Sequence, residues 1–312
     1  MNKQLVAVTS RSFSKNNILR QRLREKFTNV KFNDAGIKLA DEALIKFLHG
    51  ATHAIIGLEV IDDKLLDYLP DLKVICKMGT GIDKIDLNAL ERRGIGFAAT
   101  PGLNKRSVSE LVLGLIFTIQ RHLHIVYEKI KKGQWQQPTG SQLSNKTVGI
   151  IGFGAVGQDL ALLLQGFGCK CLIYDIQTHD NLMTHVKQVK LNTLLEQSDI
   201  ISLHIPLLPE NHHFIGFDEL NAMKKGAILI NTARGGLVDE VALYQVLKSK
   251  YLAAALDVFE EEPKVSEKLL ALDNFFATSH IGGSTSEAIE AMGLMVIKNF
   301  EKIKENGELI WN

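Results

Sequence analysis

Short apolar runs alternate with amphipathic segments of helical length through the first hundred residues. The runs typical of β-strands cover residues 5–10, 53–58, 72–79 and 96–100. The segments between them, whose apolar positions recur with helical spacing, cover residues 14–27, 61–69 and 86–94. Ser14 is the expected N-cap of the first of these helices. Strands that alternate with helices predict right-handed βαβ units and a parallel sheet.

The pattern changes after Pro101, where residues 107–132 form one long helical pattern. Its first half is apolar on nearly all sides, which is typical of a helix buried between domains or in a subunit interface. A second series of strand-like runs follows at 147–151, 169–175, 200–207, 227–233, 253–259 and 275–280. An amphipathic helical segment at 284–307 is long enough to return to the first domain. The sequence therefore predicts two doubly wound α/β domains with parallel sheets.

A GxGxxG motif begins the second series, directly after a predicted strand and directly before a predicted helix. Gly152 permits a tight turn, Gly154 lets the backbone approach a pyrophosphate, and Gly157 allows the helix to pack closely on the strand. The amides of Ala155 and Val156 at the helix N-terminus are candidate phosphate donors. This context predicts a dinucleotide-binding, Rossmann-like domain. A glycine turn without a ligand and a methyltransferase are the alternatives.

An acidic residue ends the next predicted strand. Asp175 lies 18 residues after Gly157, close to the spacing of roughly 20 residues expected for an acid that binds the ribose hydroxyls. Its carboxylate would repel a 2′-phosphate, and the next residues, Ile176 and Gln177, provide no arginine. We therefore expect NAD(H) rather than NADP(H) as the cofactor.

The composition narrows the function classes. The chain has 36 Lys and Arg against 35 Asp and Glu, a net charge of +1, which argues against a nucleic-acid partner because phosphates require a basic surface. No apolar run approaches the roughly 18 residues of a membrane span, and the stretch before Thr9 is too short for a secretory signal. Cys76, Cys169 and Cys171 have neither metal-ligand spacing nor a disulfide framework. We expect a cytoplasmic protein without a metal site.

Four chemically active side chains lie at strand ends or in loops of the second series: Arg234, Asp257, Glu262 and His280. A guanidinium can hold a substrate carboxylate with two donors, and an imidazole can exchange a hydroxyl proton near neutral pH. A carboxylate beside the imidazole stabilises its charged form. Arg234, His280 and Glu262 can fill these roles, in that order, for hydride transfer at a 2-hydroxy acid. Taken singly, each could instead be structural: a surface ion pair, a core histidine, or part of the solvated acidic run 260–262.

Several ordered motifs together resemble the D-isomer-specific 2-hydroxyacid dehydrogenase family, and its phosphoglycerate-dehydrogenase-like branch in particular. The motifs are VGIIGFGAVG, SLHIPL, INTARGGLVDE, ALDVFEEEP and SHIGGST, together with KMGTGIDKIDL and TPGLNKRSVSEL in the first domain. The resemblance covers about residues 72–295. It implies an NAD domain at 101–283, inserted into a discontinuous, flavodoxin-like substrate-binding domain formed by 1–100 and 284–312.

The resemblance also implies roles for individual residues. The family's catalytic arginine, glutamate and acid–base histidine fall on Arg234, Glu262 and His280. Further cofactor contacts fall on Pro206, Thr232, Asp257 and Gly283, and Asp257 matches the acid that meets the nicotinamide carboxamide. Substrate contacts fall on Met78, Gly79 and Thr80, whose loop amides hold the carboxylate, and on Asn104 beside the cleft.

The same resemblance implies a small-molecule 2-hydroxy or 2-oxo acid as substrate and a homodimer formed through the helix after Pro101. The arginines that usually grip a substrate phosphate are missing at 57–60, where Glu59 occurs instead, so 3-phosphoglycerate and hydroxypyruvate or glyoxylate all stay open as substrates. A non-catalytic NAD-sensing protein similar to transcriptional corepressors is the alternative in another function class. A formate-type dehydrogenase is the alternative among enzymes, although formate needs no His/Glu pair.

Overall fold

The computed structural model describes residues 4–249, 251–300, 302–303 and 309–310. The chain divides into two compact units. The first unit comprises residues 1–104 and 283–312, and the second comprises residues 105–282. The sequence predicts the two boundaries at 100/101 and 283/284.

The first unit begins with five strands and five helices. In chain order they are β1 (Leu5–Val8), α1 (Arg11–Lys15), α2 (Asn17–Lys26), β2 (Asn29–Phe32), α3 (Asp41–Leu48), β3 (His53–Ile56), α4 (Asp63–Leu66), β4 (Val74–Lys77), α5 (Leu87–Arg92) and β5 (Gly96–Ala98).

The second unit follows with α6 (Lys105–Gln120), α7 (Leu123–Lys131), β6 (Thr147–Ile151), α8 (Ala155–Gln165), β7 (Lys170–Tyr174), β8 (Val186–Gln188), α9 (Leu191–Gln197), β9 (Ile200–Leu203), α10 (Phe217–Ala222), β10 (Ile228–Asn231), α11 (Glu240–Lys248), β11 (Ala253–Leu256), α12 (Glu267–Leu270) and β12 (Phe275–Ala277). Short 3-10 helices occur at Pro209–Asn211 and Gly235–Leu237. The chain then returns to the first unit with α13 (Ser286–Asn299) and β13 (Leu309–Ile310).

Each unit is built on one sheet whose strand pairs are all parallel. The strand order is β2-β1-β3-β4-β5-β13 in the first unit and β8-β7-β6-β9-β10-β11-β12 in the second. In the second sheet the strand order reverses between β6 and β9, since β7 and β8 lie on one side of β6 and β9 to β12 on the other. Doubly wound folds bind ligands at such a point, beyond the carboxyl ends of the strands. The predicted fold class of two doubly wound parallel-sheet domains is confirmed.

Helices cover both faces of each sheet, so the central strands are buried on both sides. Every residue of β3, β4, β9 and β10 is buried, which explains why these strands read as continuous apolar runs. In the first unit, α13 packs against α2 and β4. Cys76, Cys169 and Cys171 are free and buried. In the part of the chain that the structure describes, no helix is both long and apolar enough to cross a membrane.

The prediction of a single helix over residues 14–27 that starts at Ser14 is wrong. Two helices occupy this stretch, and their N-caps are Ser10 and Asn16, whose side chains accept from the amides of Phe13 and Leu19. Ser14 is not a cap but is buried in α1, where its hydroxyl donates to the Val8 carbonyl at 3.3 Å. The asparagine at the break competes with the helical bonds and so starts a new helix.

The single helix expected over 107–132 is also wrong, because α6 and α7 are separated at Arg121 and His122. His122 has a φ of 54°, which a helix cannot contain. The Gln120 carbonyl accepts the Ser141 amide at 3.0 Å, so a tertiary contact replaces the next helical bond. The buried character of the first half is confirmed, since Val108, Val112 and neighbouring apolar residues of α6 are in the core. Of the helix expected over 284–307, α13 covers 286–299, while residues 301 and 304–308 lie outside the described residues.

Gly157 and Gly114 allow a direct test of close helix packing. A Cβ on Gly157 would lie 2.2 Å from the Gly152 carbonyl oxygen, whereas one on Gly114 in α6 would meet nothing within 4 Å. We expect Gly157→Ala to lower the free energy of unfolding by about 1–3 kcal/mol, and the matched Gly114→Ala to raise it by about 0.5–1 kcal/mol. Urea unfolding of both variants measures this. Equal effects of the two substitutions would show that the turn does not pack on α8 in this way.

Candidate active site

The GxGxxG turn connects β6 to α8 at the point where the strand order of the second sheet reverses. Gly152 has a φ of 92°, and a Cβ there would lie 2.5 Å from the His204 carbonyl oxygen. Gly154 is the N-cap of α8 without a side-chain cap, and a Cβ on it would meet nothing within 4 Å. The first amides of α8, from Ala155 and Val156, thus lie at the positive end of an 11-residue helix that has no side-chain cap.

Asp175 directly follows β7, beside this turn. Its Oδ2 accepts the Phe153 amide at 2.6 Å, and its Oδ1 accepts the Gln177 amide at 2.9 Å. Burial would raise the pKa of Asp175, but these amide donors and His179 outweigh burial and hold it below the usual value. The side chain thus stays a carboxylate that is already fixed in place.

Two more predicted cofactor residues lie at the same edge of the second sheet. Thr232 follows β10, and its buried hydroxyl oxygen has no hydrogen-bond partner among the residues that the structure describes. Pro206 follows β9, with its carbonyl accepting from Asn211 at 2.7 Å. An open glycine turn, uncapped helix amides, an ordered carboxylate and an orphaned buried hydroxyl together fit a dinucleotide. The predicted Gly283 lies in the first unit, where a Cβ on it would be 3.1 Å from Asn104 Nδ2.

The reactive side chains follow three adjacent strands, β10, β11 and β12. His280 Nδ1 lies 2.9 Å from both Oε1 and Oε2 of Glu262, and the two side chains are 32% and 27% exposed. This geometry places a proton on Nδ1 between ring and carboxylate. His280 Nε2 makes no hydrogen bond to any residue that the structure describes. That nitrogen can therefore exchange a proton with a ligand.

Asp257 holds the segment that carries His280. Its fully buried carboxylate accepts the Thr278 hydroxyl at 2.6 Å, the Ile281 amide at 2.9 Å and the Gly282 amide at 2.8 Å. Its carbonyl accepts the His280 amide at 2.8 Å, and His280 has a φ of 58°. The expected contact of Asp257 with a carboxamide stays a prediction, while its bonds within the protein organise the histidine loop.

Arg234 lies in the loop after β10. Asn231, which is fully buried, donates from its side chain to the Arg234 carbonyl at 2.7 Å and accepts the Ala233 amide at 2.9 Å. The next residue, Gly235, touches the backbone of the loop that precedes Glu262, because a Cβ there would lie 2.0 Å from the Phe259 carbonyl carbon. Only glycine permits this contact between the two loops.

A second histidine–carboxylate contact, which sequence reasoning missed, braces the same loops. His213 Nε2 lies 2.6 Å from Glu260 Oε1, and the His213 amide donates to the Gly236 carbonyl at 2.7 Å. The Glu260 amide in turn donates to Glu240 at 2.9 Å. Glu260 is therefore not simply part of a solvated acidic run. A local pattern contains no signal for this contact, since His213 and Glu260 are 47 positions apart.

The predicted substrate residues lie in the first unit, after β4 and β5. Met78 is buried, and Gly79 has a φ of 128°. The Gly79 amide donates to Thr100 Oγ1 at 3.0 Å, and the Thr80 hydroxyl donates to Asn104 Oδ1 at 2.9 Å. The Gly79 amide is thus already engaged, and the roles of these residues stay predictions.

Charged side chains near these residues are already bonded. Glu59 Oε2 accepts the Gly57 amide at 2.5 Å. Lys77 donates to the Gly57 carbonyl. Arg106 forms two bonds of 2.9 Å with Asp159 in the second unit, so its guanidinium neutralises a carboxylate of the protein itself.

Fold and site together define a nucleotide-dependent oxidoreductase. The family model of the D-isomer specific 2-hydroxyacid dehydrogenase NAD binding domain matches residues 113–282. Hydroxypyruvate reductase of Thermotoga maritima is 42% identical over 238 residues, which are 74% of this chain and 78% of that protein. The chain therefore belongs to the D-isomer specific 2-hydroxyacid dehydrogenase family.

Other relatives are named as enzymes of different substrates. D-3-phosphoglycerate dehydrogenase of Methanocaldococcus jannaschii is 38% identical over 88% of this chain, which spans 53% of that longer protein. The D-lactate dehydrogenase structure from Aquifex aeolicus, complexed with NAD and lactic acid, superimposes with a TM-score of 0.83 at 28% identity, covering 96% of this chain and 94% of that one. The protein is an NAD-dependent D-2-hydroxyacid dehydrogenase. The corepressor-like alternative is not favoured.

The backbone of His204 packs on the glycine turn. Its side chain should make the stability of the folded protein sensitive to acid. Burial lowers the pKa of His204 to about 3, so the folded protein leaves the ring neutral while the unfolded chain protonates it below about pH 6.5. Stability from this group is complete above about pH 6.5 and is lost as pH falls towards about 3. We expect the loss in Tm between about pH 8 and pH 5 to be smaller for His204→Asn than for the unaltered protein. An unchanged pH dependence would contradict this.

Asp257→Ala tests the support of the histidine loop. Each buried donor left without an acceptor costs about 1–3 kcal/mol, so the loop should open more often. We expect faster hydrogen exchange at the amides of Ile281 and Gly282, measured by NMR or mass spectrometry. Asp273→Ala, at an exposed aspartate of the same unit, serves as the control. Unaltered exchange in Asp257→Ala would show that other contacts hold the loop.

Proposed function

We propose that the protein reduces a small, unphosphorylated 2-oxo acid of the hydroxypyruvate or glyoxylate kind to a D-2-hydroxy acid, with NADH as the reductant. The contact of His280 Nδ1 with both Glu262 oxygens, at 2.9 Å, is the observation that carries this proposal. A non-catalytic nucleotide-binding protein has no need of such a pair.

The proton chemistry follows from that contact. Glu262 holds the ring by Nδ1 and stabilises its charged form, which leaves Nε2 directed to the substrate oxygen. In reduction the imidazolium gives its Nε2 proton to the C2 oxygen, and in oxidation the neutral ring removes it. Arg234, which never loses its charge, holds the substrate carboxylate and polarises the C2–O bond.

The cofactor, when bound, supplies or accepts the hydride at C2. We assign the pyrophosphate to the turn at Gly152, Gly154 and Gly157 with the amides of Ala155 and Val156. Asp175 accepts from the ribose hydroxyls, because an ordered carboxylate suits two hydroxyl donors. Pro206, Thr232, Asp257 and Gly283 complete the proposed set, and Thr232 has the unpaired buried hydroxyl that a ligand could satisfy.

The first unit is the proposed substrate-binding domain, with contacts from Met78, Gly79, Thr80 and Asn104. β3 and β4 are adjacent parallel strands. The loop with Glu59, after β3, and the loop with Met78, after β4, therefore begin at the same edge of the sheet. A carboxylate there repels a phosphoryl group more strongly than a hydroxymethyl group. This favours an unphosphorylated substrate.

The proposal includes a homodimer formed through the helices after Pro101. The supporting observation is the apolar surface of α7, where Leu123 and Ile130 are each 52% exposed and Tyr127 is 63% exposed. A cluster of large exposed apolar side chains marks an interaction surface.

The reaction is tested by NADH oxidation with hydroxypyruvate, glyoxylate and 3-phosphohydroxypyruvate. We expect turnover of the first two, with a higher kcat/KM than for the phosphorylated acid, because Glu59 opposes the phosphoryl group. His280→Gln should lower kcat by about 100- to 10,000-fold, the usual loss for a proton-transfer group. His49→Gln, at an exposed histidine, is the matched control. Near-normal turnover by His280→Gln would remove the assigned acid–base residue.

Glu262→Gln gives a separate pH test of the same pair. Loss of the carboxylate disfavours the imidazolium, so the proton donor for reduction should be lost at a lower pH. We expect the alkaline fall in the reduction rate to move to lower pH, measured as kcat against pH. An unmoved profile would leave Glu262 with a purely structural role.

A further inference from the structure

His179, which no sequence motif includes, lies against the proposed ribose site. It belongs to the segment between β7 and β8, and its amide donates to Gln188 Oε1 at 3.0 Å. The Gln188 amide group donates in turn to the Gln177 carbonyl at 2.8 Å. The His179 ring packs edge-on against Phe153 of the glycine turn, with centroids 5.2 Å apart and an interplanar angle of 79°. The imidazole is therefore held in one place by β8 and by the turn.

The ring points a nitrogen at Asp175. His179 Nε2 lies 3.4 Å from Asp175 Oδ2, and the side chains are only 19% and 14% exposed. Nε2 is buried and makes no regular hydrogen bond within the described chain. Of the neighbouring elements, the turn after β6 contributes the uncharged Phe153 and β8 the uncharged Gln188. Within the described residues, Asp175 is the charged group that faces this imidazole.

The carboxylate has limited capacity for further donors. A carboxylate offers about four lone-pair sites, and the amides of Phe153 and Gln177 use two of them. A neutral His179 leaves the full negative charge of Asp175 facing the ribose. A protonated His179 takes one site and compensates the charge that would repel a 2′-phosphate.

We propose that His179 sets the choice between NADH and NADPH, so that the preference for NADH is strong when the ring is neutral and weakens when it is protonated. The inference rests on the proposed role of Asp175 at the ribose. Imidazoles change charge between about pH 5 and 8. The affinity for NADPH relative to NADH therefore rises at acidic pH. His179 lies four positions after Asp175, outside residues 175–177, from which the sequence predicts NAD(H).

The test is calorimetric binding of NADH and NADPH at about pH 6 and pH 8.5, without substrate. The readout is the ratio of the two Kd values in the unaltered protein, in His179→Gln, which stays neutral, and in His179→Arg, which stays charged. Acid also protonates the 2′-phosphate, but His179→Gln retains that effect, so the difference between the two proteins isolates the imidazole. His49→Gln is the control for an unrelated histidine.

We expect the preference for NADH to fall about tenfold more on acidification in the unaltered protein than in His179→Gln. His179→Arg should bind NADPH about tenfold more tightly than His179→Gln at the higher pH, with His179→Lys as a second charged variant if arginine does not fit. Identical pH dependence in the unaltered protein and His179→Gln would overturn the proposal. Equal NADPH affinities of His179→Gln and of a charged variant with a normal Tm would also overturn it.

Asp175→Asn separates this proposal from the one on which it rests. If Asp175 binds the ribose, this variant loses NADH affinity. If NADH affinity is unchanged, the assigned ribose contact is wrong and the role of His179 is wrong with it. Because these titrations contain no 2-oxo acid, failure to reduce any such acid would contradict the proposed reaction without affecting this result.

Discussion

The buried carboxylate of Asp257 is the constraint on which the reactive end of the molecule depends. It follows β11 and receives three donors from residues 278–282, after the neighbouring strand β12. A buried charge without donors is costly, so the segment that follows β12 must fold back onto it. That return holds His280 in a left-handed conformation and brings its Nδ1 to Glu262. The geometry of the contact between His280 and Glu262 is here a consequence of satisfying one buried acid.

Close approach of backbone to backbone is the second recurring device. Gly152 lies against the His204 carbonyl, Gly157 against the Gly152 carbonyl, and Gly235 against Phe259. At each point a Cβ would come within 2.5 Å of a backbone atom, so a side chain is excluded on steric grounds. These contacts join loops that follow different strands into one surface beyond the sheet edge, where a ligand can meet groups from all of them.

The prediction from sequence is strongest for the central strands of each sheet. The apolar runs at β3, β4, β9 and β10 are buried on both faces and stand out for that reason. The pattern does not predict the edge strands β2 and β8, because their partly exposed residues provide little periodic signal. The break between α6 and α7 was missed because the Ser141 amide, a distant partner, takes the carbonyl of Gln120.

For the site, local pattern was sufficient to select the glycine turn, Asp175, Arg234, Glu262 and His280, because each follows a strand and parallel strands end at one edge. The chemistry of the side chains then limited the reaction. Partners are another matter: His213 against Glu260, and Asp257 against residues 278–282, are contacts between separate loops. Periodicity describes which face a residue occupies on its own element. Which group it meets depends on how elements far apart in the chain pack, and only the folded protein shows that.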